Sequence, residues 1–341
     1  MYKIRYVPQK DIISIREEWK ILEKGEEMTY FQTFDWYQML IDFTPCCKVV
    51  ENVYVVIYKS NNPIIIAPLW IVKKNYRYVN KKGIYFIGRK ACSDYLNFIY
   101  SCFDSGALEF LLHSLKKKYG VEQCFFEHML TTTSSYHYFV AKEKNSIVSE
   151  EKCVHVSLPK TFNDYYVSLG KNIRQNIRTA YNRLKKDKIE IKIVFDDIYA
   201  DLGRCSDIWR NRHQQKYEGK VAWHICVKSY LYKILDISFP ECIQHIADKR
   251  SHILSVYCNN KLEMFFCYGV DAFRNKVVFM TAGVSKEYAR YSLGIVGLYE
   301  FIQYLIGKGE YGEVDFLRGG EYYKYALGGT DHFIADVKVL I

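Results

Sequence analysis

Apolar positions along the chain follow two spacings, and each change of spacing marks an element. After an alternating stretch at 2–7, Ile12, Ile15, Trp19 and Leu22 recur at helical spacing and predict a helix over 9–23. A second helix is expected at 33–43, with Thr33 as its N-cap. Two apolar, β-branched runs at 49–58 and 63–73 flank SNN at 60–62, which is hairpin chemistry. Further strands are expected at 83–88 and 95–100. A helix at 105–119, a strand at 122–127, a helix near 134–142 and a strand at 152–157 complete the first half.

The second half repeats that order. A strand fits 189–196, with helices across 198–216 and 227–247. Strands 251–258 and 262–270 form a hairpin turned by Asn259 and Asn260. A strand at 276–283, a helix at 293–307, a strand at 313–317, a short helix near 321–327 and a strand at 334–340 follow. The residues themselves do not repeat; only the order does. The expected fold is mixed α/β (α+β) in two lobes, 1–158 and 159–341, each a mixed, mostly antiparallel sheet flanked by helices.

Composition narrows this picture little. The chain has 341 residues, 49% hydrophobic, enough for two cores. Its 31 tyrosines allow Tyr-rich cores and clefts without naming a function. The 11 cysteines include no C-x-x-C and no Cys/His set at zinc spacing, so free thiols and no metal are expected. The N-terminus lacks a signal-peptide core, and the longest apolar run, 64–72, is too short to span a bilayer. A cytoplasmic protein is therefore expected. The net charge of +10 suits an anionic partner: a nucleotide, a phosphorylated cofactor, a headgroup or nucleic acid.

Part of that charge lies on KNIRQNIRTAYNRLKKDK (171–188). Ile173, Ile177, Ala180, Tyr181 and Leu184 form one apolar stripe, while Lys171, Arg174, Arg178, Lys185 and Lys186 fall on other faces, opposed only by Asp187. The helix is either a solvated connector or an anion-binding face. No nucleic-acid-binding module signature accompanies it, and DNA is not an expected partner.

A second anion site is possible at YARYSLG, which begins at Tyr288 between an apolar strand and a long apolar helix. Ser292 is expected to cap that helix, and Gly294 in its first turn lets a ligand approach the backbone. Free N–H groups at a helix start suit a pyrophosphate, and Arg290 adds a mobile positive charge. The alternative is a capped core helix with an incidental glycine. The matching loop of the first half, at Asp104, Ser105 and Gly106, is acidic and less suited to an anion. GKGEYG (307–312) spells a dinucleotide fingerprint, but it ends a helix and opens a strand, so a C-cap and turn are expected.

EVDFLRGGEYYKYALGG (313–329) gathers Asp315, Arg318, Glu321, Tyr323 and Lys324 among glycines. Asp315 interrupts a buried strand and needs a partner, for which Arg318 is suited. The cluster is either a structural pair or a reaction centre. In the second case Asp315 holds or deprotonates an amine, Tyr323 protonates a leaving thiolate and Lys324 stabilises an oxyanion. His213 and His224 are alternative bases. No G-x-S-x-G, Walker A or H-E-x-x-H motif occurs.

Together, FQTFDWYQ (31–38), SDYLNFIY (93–100), the helix from 171, and YARYSLG followed by DFLRGGEYYKYALGG make the chain similar to a family. It resembles the GNAT-superfamily acetyltransferases of bacterial polysaccharide biosynthesis, the CelD-like group. The helix at 171–188 and YKYALGG also resemble the Fem-type aminoacyl transferases, which are tandem GNAT lobes. The resemblance implies acetyl-CoA or another acyl-CoA as donor, bound by the second lobe and not the first. It implies an amino-sugar or related small-molecule amine as acceptor, nucleotide- or lipid-linked. Carried over by position, Arg290, Tyr291, Ser292 and Gly294 form the pyrophosphate loop. Asp315, Tyr323 and Lys324 are catalytic, and Arg174, Arg178, His213, Arg318 and Glu321 bind the acceptor. Relatives often have Ser-Pro-Gly where Ser292, Leu293 and Gly294 stand, and Gly-Asp-Glu where Gly319, Gly320 and Glu321 stand, one carboxylate fewer here. Two other functions fit the same residues: aminoacyl transfer from charged tRNA, and a non-catalytic binding module on the same fold.

Overall fold

The structure is a computed structural model. It describes residues 1–41, 48, 50–74, 82–88, 93–142, 146–217 and 252–341, with only the backbone at 212–217. The chain divides into two compact units, Met1–Cys153 with Asp331–Ile341, and Val154–Thr330. The last strand therefore belongs to the first unit, whereas the division at 158/159 had assigned it to the second lobe.

The first unit begins with β1 (Tyr2–Pro8), a 3-10 segment (Gln9–Ile15), α1 (Arg16–Leu22) and α2 (Phe34–Leu40). Strands β2 (Val50–Lys59), β3 (Asn62–Val72) and β4 (Gly83–Phe86) precede α3 (Ser105–Tyr119), β5 (Gln123–Leu130), α4 (Ser134–Lys142) and β6 (Ile147–Ser157). The unit boundary falls within β6. The β2–β3 turn bends because Ser60 and Asn61 take left-handed φ values of 52° and 68°. Thr33 caps α2 as expected, accepting from the Trp36 N–H. Strand order is β1-β2-β3-β4-β5, antiparallel except for the parallel β4–β5 pair. The C-terminal strand lies beside β5, antiparallel to it.

No strand forms over 95–100. Tyr95 is left-handed at φ 53°, and only Ile99 bridges another strand, at Ile66. The Tyr95 carbonyl accepts from the buried Gln32 side chain at 2.6 Å, and Ser135 Oγ donates to Asn97 Oδ1 at 2.7 Å. Side chains thus replace part of the ladder.

Asp104 caps α3, accepting from the Ala107 N–H at 2.9 Å, Tyr2 Oη at 2.8 Å and Lys59 Nζ at 2.9 Å. Chiefly the Lys59 ammonium, with the Ala107 amide and the Tyr2 hydroxyl, holds its carboxyl down at about 2. Since that lies below the unfolded value, its stabilisation is complete above pH ~4 and fades as pH falls towards ~2. Asp104→Ala should cost about 1 kcal/mol at pH 7 and less at pH 2.5, read by denaturant titration.

The second unit holds α5 (Phe162–Ser168), α6 (Lys171–Lys186), β7 (Ile191–Val194) and α7 (Leu202–Tyr217). After them come β8 (His252–Cys258), β9 (Lys261–Asp271), β10 (Lys276–Val284), α8 (Leu293–Lys308), β11 (Glu313–Arg318) and α9 (Tyr322–Ala326). β12 (Thr330–Leu340) is the C-terminal strand already placed beside β5. The helix expected at 227–247 lies outside the described residues. Strand order is β11-β10-β9-β8-β7, with only β10–β11 parallel. One face of this sheet packs α5, α6 and α8 through Tyr165, Ile173, Ile177, Leu254, Phe266, Tyr268, Phe301 and Leu305. On a separate core, Cys205 and Ile208 of α7 meet Ile253, Leu262 and Phe265. No described helix is long and apolar enough to cross a membrane.

Candidate functional site

Strands β10 and β11 pair for three residues only, Lys276–Glu313, Val277–Val314 and Val278–Asp315. Beyond that, β10 runs on to Val284 and β11 to Arg318 without pairing to each other. β10 stays paired to β9 throughout, with a bulge between Phe279 and Thr281. Among the described residues, the backbone edge of β10 that faces β11 thus pairs with no strand from Phe279 onward.

At the far end of β10, a 3-10 turn (Lys286–Tyr291) leads into α8. Ser292 occupies the N-cap position but is left-handed, φ 50°, and its side chain makes no capping bond. This corrects the expectation of a serine cap. The Ser292 carbonyl accepts from Ile295 and Val296, leaving the amides of Leu293 and Gly294 without an acceptor among the described residues. A Cβ on Gly294 would meet one atom within 4 Å, Val284 Cγ2 at 3.6 Å. Gly297, one turn on, has the opposite environment: its Cβ would stand 2.7 Å from Met264 Cε and 3.2 Å from Phe266. The first glycine faces open space and the second lets α8 lie on β9.

Arg290 is paired. Its guanidinium donates to Asp187 at 2.6 Å and to Tyr291 Oη, and lies 4.7 Å from the Tyr291 ring centroid. Tyr291 is buried, and its hydroxyl donates to the same Asp187 carboxylate at 2.8 Å. Arg183 donates to the Arg290 carbonyl at 2.8 Å. Arg290 and Tyr291 therefore fasten the loop to the C-terminal end of α6. Arg183 and Asp187, which the charge pattern did not single out for this role, are their partners. The expected α6 stripe is buried at Ile173, Ile177, Ala180 and Leu184. Tyr181 is half-buried and donates to Glu300 of α8, and burial followed by that carboxylate pushes its phenol up. Arg174 lies over the Tyr166 ring at 5.5 Å, and Arg178 is exposed and bonded to Gln175 at 2.9 Å. The α6 side chains that reach the loop are Arg183 and Asp187, not these two.

At the end of β11 the chain turns through Leu317, left-handed at φ 55°, and Gly319 at φ 101°. Asp315, 7% exposed, accepts from the Leu317 N–H at 2.8 Å. Lys324, 2% exposed, reaches back from α9. Its ammonium donates to the carbonyls of Leu317 (3.3 Å), Arg318 (2.7 Å) and Gly319 (2.8 Å), and to Glu321 Oε2 (2.9 Å). With its N–H groups directed at these oxygens, Lys324 has none to offer an oxyanion. Both Asp315 and Lys324 contact the turn, through the Leu317 N–H and through the three carbonyls. Tyr323 is half-buried, its ring edge-on to Phe316 at 6.3 Å. Tyr165, whose phenol burial pushes up, donates to the Leu327 carbonyl at 3.0 Å and ties α5 to the end of α9. Arg318, Glu321 and Tyr322 are exposed. The His213 side chain and all of His224 lie outside the described residues.

Gly294 thus lies in contact range of the end of β10, and the turn clasped by Lys324 follows the stretch of β11 that no longer pairs with β10. GKGEYG is a helix end and turn, as expected, with Gly309 left-handed at φ 68°. The first unit repeats the layout but closes it. β4 and β5 pair in parallel only at Ile84–Cys124 and Tyr85–Phe125, and α3 starts Asp104-Ser105-Gly106. There the Ala107 amide is taken by Asp104, and a Cβ on Gly106 would stand 2.9 Å from Tyr2 Oη. Among the described residues no group of three His, Cys, Asp or Glu side chains is arranged to hold a metal ion.

Residues 268–325 match the family model described as acetyltransferase (GNAT) domain, well under half of the chain. No curated protein matches the sequence. Among solved structures, FemX is similar at TM-score 0.64 and 10% identity, over 99% of this chain and 97% of that one. A conserved protein of unknown function from Bacteroides thetaiotaomicron has TM-score 0.56 and 11% identity, over 99% and 100%. A tandem GNAT protein from the clavulanic acid biosynthesis pathway has TM-score 0.54 and 10% identity, over 100% and 98%. At such identities the likeness is one of fold, a mixed α/β fold like that of tandem GNAT proteins.

Proposed function

We propose that the second unit is an N-acyltransferase that takes its acyl group from an acyl-CoA, acetyl-CoA first among them, and gives it to an amine. The observation that carries this reading is the parting of β10 from β11 beside the uncapped, open start of α8. The free amides of Leu293 and Gly294 suit a pyrophosphate, and the open edge from Phe279 to Val284 suits the amides of a pantetheine arm. Bound there, the donor would supply an activated thioester. Tyr323 is the chain's candidate acid for the leaving thiolate, while Asp315 and Lys324 position the turn that carries Arg318 and Glu321. Those two exposed side chains suit a polar acceptor, and an amino sugar or related amine, nucleotide- or lipid-linked, is the proposed class. The first unit takes no donor, since Tyr2 and Asp104 close its equivalent helix start.

Acetyl-CoA at a hundredfold excess over its dissociation constant should stabilise the protein by about 2.7 kcal/mol, visible as a raised melting temperature. A melt unmoved by acetyl-, succinyl- and long-chain acyl-CoA overturns the reading. If a donor registers, an amino-sugar panel tests the acceptor class.

Aminoacyl transfer from charged tRNA is the second reading. It is favoured by the exposed Lys171, Arg178, Lys185 and Lys186 of α6. Neutralising Arg174 and Arg178 together should then weaken tRNA binding and flatten its salt dependence, and no binding at low salt removes it.

A further inference from the structure

Several chain ends of the first unit meet at one end of its sheet. β2 begins where β3 stops, with Val50 opposite Val72, and β4 begins beside the same point, with Gly83 opposite Val72. α3 ends just before β5, whose first residues run beside β4. Three contacts tie these ends together. Lys82 Nζ donates to the Gly120 carbonyl at 3.3 Å, Lys73 Nζ meets Glu51 at 2.8 Å, and Tyr119 Oη donates to Glu51 at 3.0 Å.

The surface they form is built of lysine. Lys73 and Lys74 follow β3, Lys82 precedes β4, and Lys116, Lys117 and Lys118 lie in the last turn of α3, all six exposed. The acidic side chains on the same stretches are Glu51, already bonded to Lys73 and Tyr119, and Glu122. A helix C-terminus attracts cations, which accounts for lysines on α3. It does not account for Lys73, Lys74 and Lys82, which come from the ends of two strands. Like charges gathered on one face repel one another, and an opposing anionic surface relieves that repulsion.

The residue types indicate which surface. Lysine carries a hydrated point charge on a flexible stem, and no guanidinium fork stands among these six to grip a phosphate in fixed geometry. No open aromatic face is offered to a base either: the Lys118 ammonium lies over the Tyr6 ring at 3.4 Å and 5.3 Å from the centre of the Tyr119 ring. Nucleic-acid sites lean on such forks and stacking faces, whereas a fluid layer of headgroups needs neither. We propose that this lysine-lined end of the first unit is a peripheral contact for an anionic lipid bilayer. The contact is independent of the donor reading, which concerns the second unit.

The full chain is sedimented with vesicles of phosphatidylcholine alone, or of phosphatidylcholine and phosphatidylglycerol in equal parts. It should bind the second and not the first, and raised salt should release it. Lys116→Gln, Lys117→Gln and Lys118→Gln together should lower partitioning at least tenfold, since each lysine at an anionic surface contributes roughly fivefold. Lys24→Gln, Lys160→Gln and Lys192→Gln remove the same charge from other exposed positions and should leave binding close to wild type. Equal losses in the two triple variants would trace the attraction to the net charge of +10 and overturn the proposal. So would wild type that ignores the anionic vesicles, or that binds tRNA through these lysines and leaves the vesicles alone. Should the α3 triple not fold, Lys74→Gln with Lys82→Gln removes two charges that lie off the helix. That pair should weaken partitioning to a smaller extent, and an unchanged partition coefficient there also sinks the proposal.

Discussion

Glu263→Ala is expected to destabilise the protein by about 3–5 kcal/mol, among the largest effects of any single polar substitution. Glu263 is fully buried on β9. Its two oxygens accept from the same guanidinium nitrogen of Arg204, at 3.1 and 3.0 Å, and Lys261 lies 3.2 Å away. Arg204, on α7, also donates through Nε to the Leu262 carbonyl at 3.1 Å. The pair therefore bolts α7 to β9, inside the sheet, through a fully buried carboxylate. Alanine leaves Arg204, three-quarters buried, without its counter-charge, and it leaves a void. The mirror change, Arg204→Met, strands the carboxylate and should cost a similar amount. Replacing both at once, Glu263→Ala with Arg204→Met, removes the desolvation cost along with the attraction and should be far milder than the sum of the two. Urea titrations of the four proteins read this coupling. Near-additive single and double changes would show that the buried pair does not act as a unit.

The sequence made some of this architecture plain and concealed the rest for reasons that can be named. Asn259 and Asn260 sit between two apolar runs because both are left-handed, at φ 48° and 64°, where few residues but asparagine and glycine rest easily. The stripe on α6 was equally plain, since burial at Ile173, Ile177, Ala180 and Leu184 follows directly from helical spacing. Ser292 shows the limit of such reading. A serine before a helix is a cap by type, but capping needs an extended backbone, and Ser292 is left-handed. Arg290 looked free because its partner, Asp187, is remote in sequence, at the end of another helix. Lys324 is the sharpest case. In the sequence it is a lysine among tyrosines and glycines. Its contacts depend on where three backbone carbonyls point, which no pattern of side chains records. The placement of the C-terminal strand was hidden for a related reason: its alternation announces a strand but not the neighbour it joins.

Gly294→Trp should abolish the stabilisation by acetyl-CoA while leaving the unliganded melt nearly unchanged. The two halves of that expectation have separate causes. A Cβ at this position meets only Val284 Cγ2, at ordinary contact distance, so the helix can carry a side chain there without displacing its own core. The bulk must then occupy the space before the free amides of Leu293 and Gly294, which is where a pyrophosphate would have to lie. A ligand worth about 2.7 kcal/mol to wild type at a hundredfold excess would contribute close to nothing to the variant. Gly297→Trp is the contrasting substitution: its Cβ would already press on Met264 and Phe266, so it should lower the unliganded melt itself. Thermal shifts of the three proteins with and without acetyl-CoA separate the cases. If Gly294→Trp binds the donor as tightly as wild type, the start of α8 is not the phosphate end of the site. The parted strands would then have to be read as serving some other ligand.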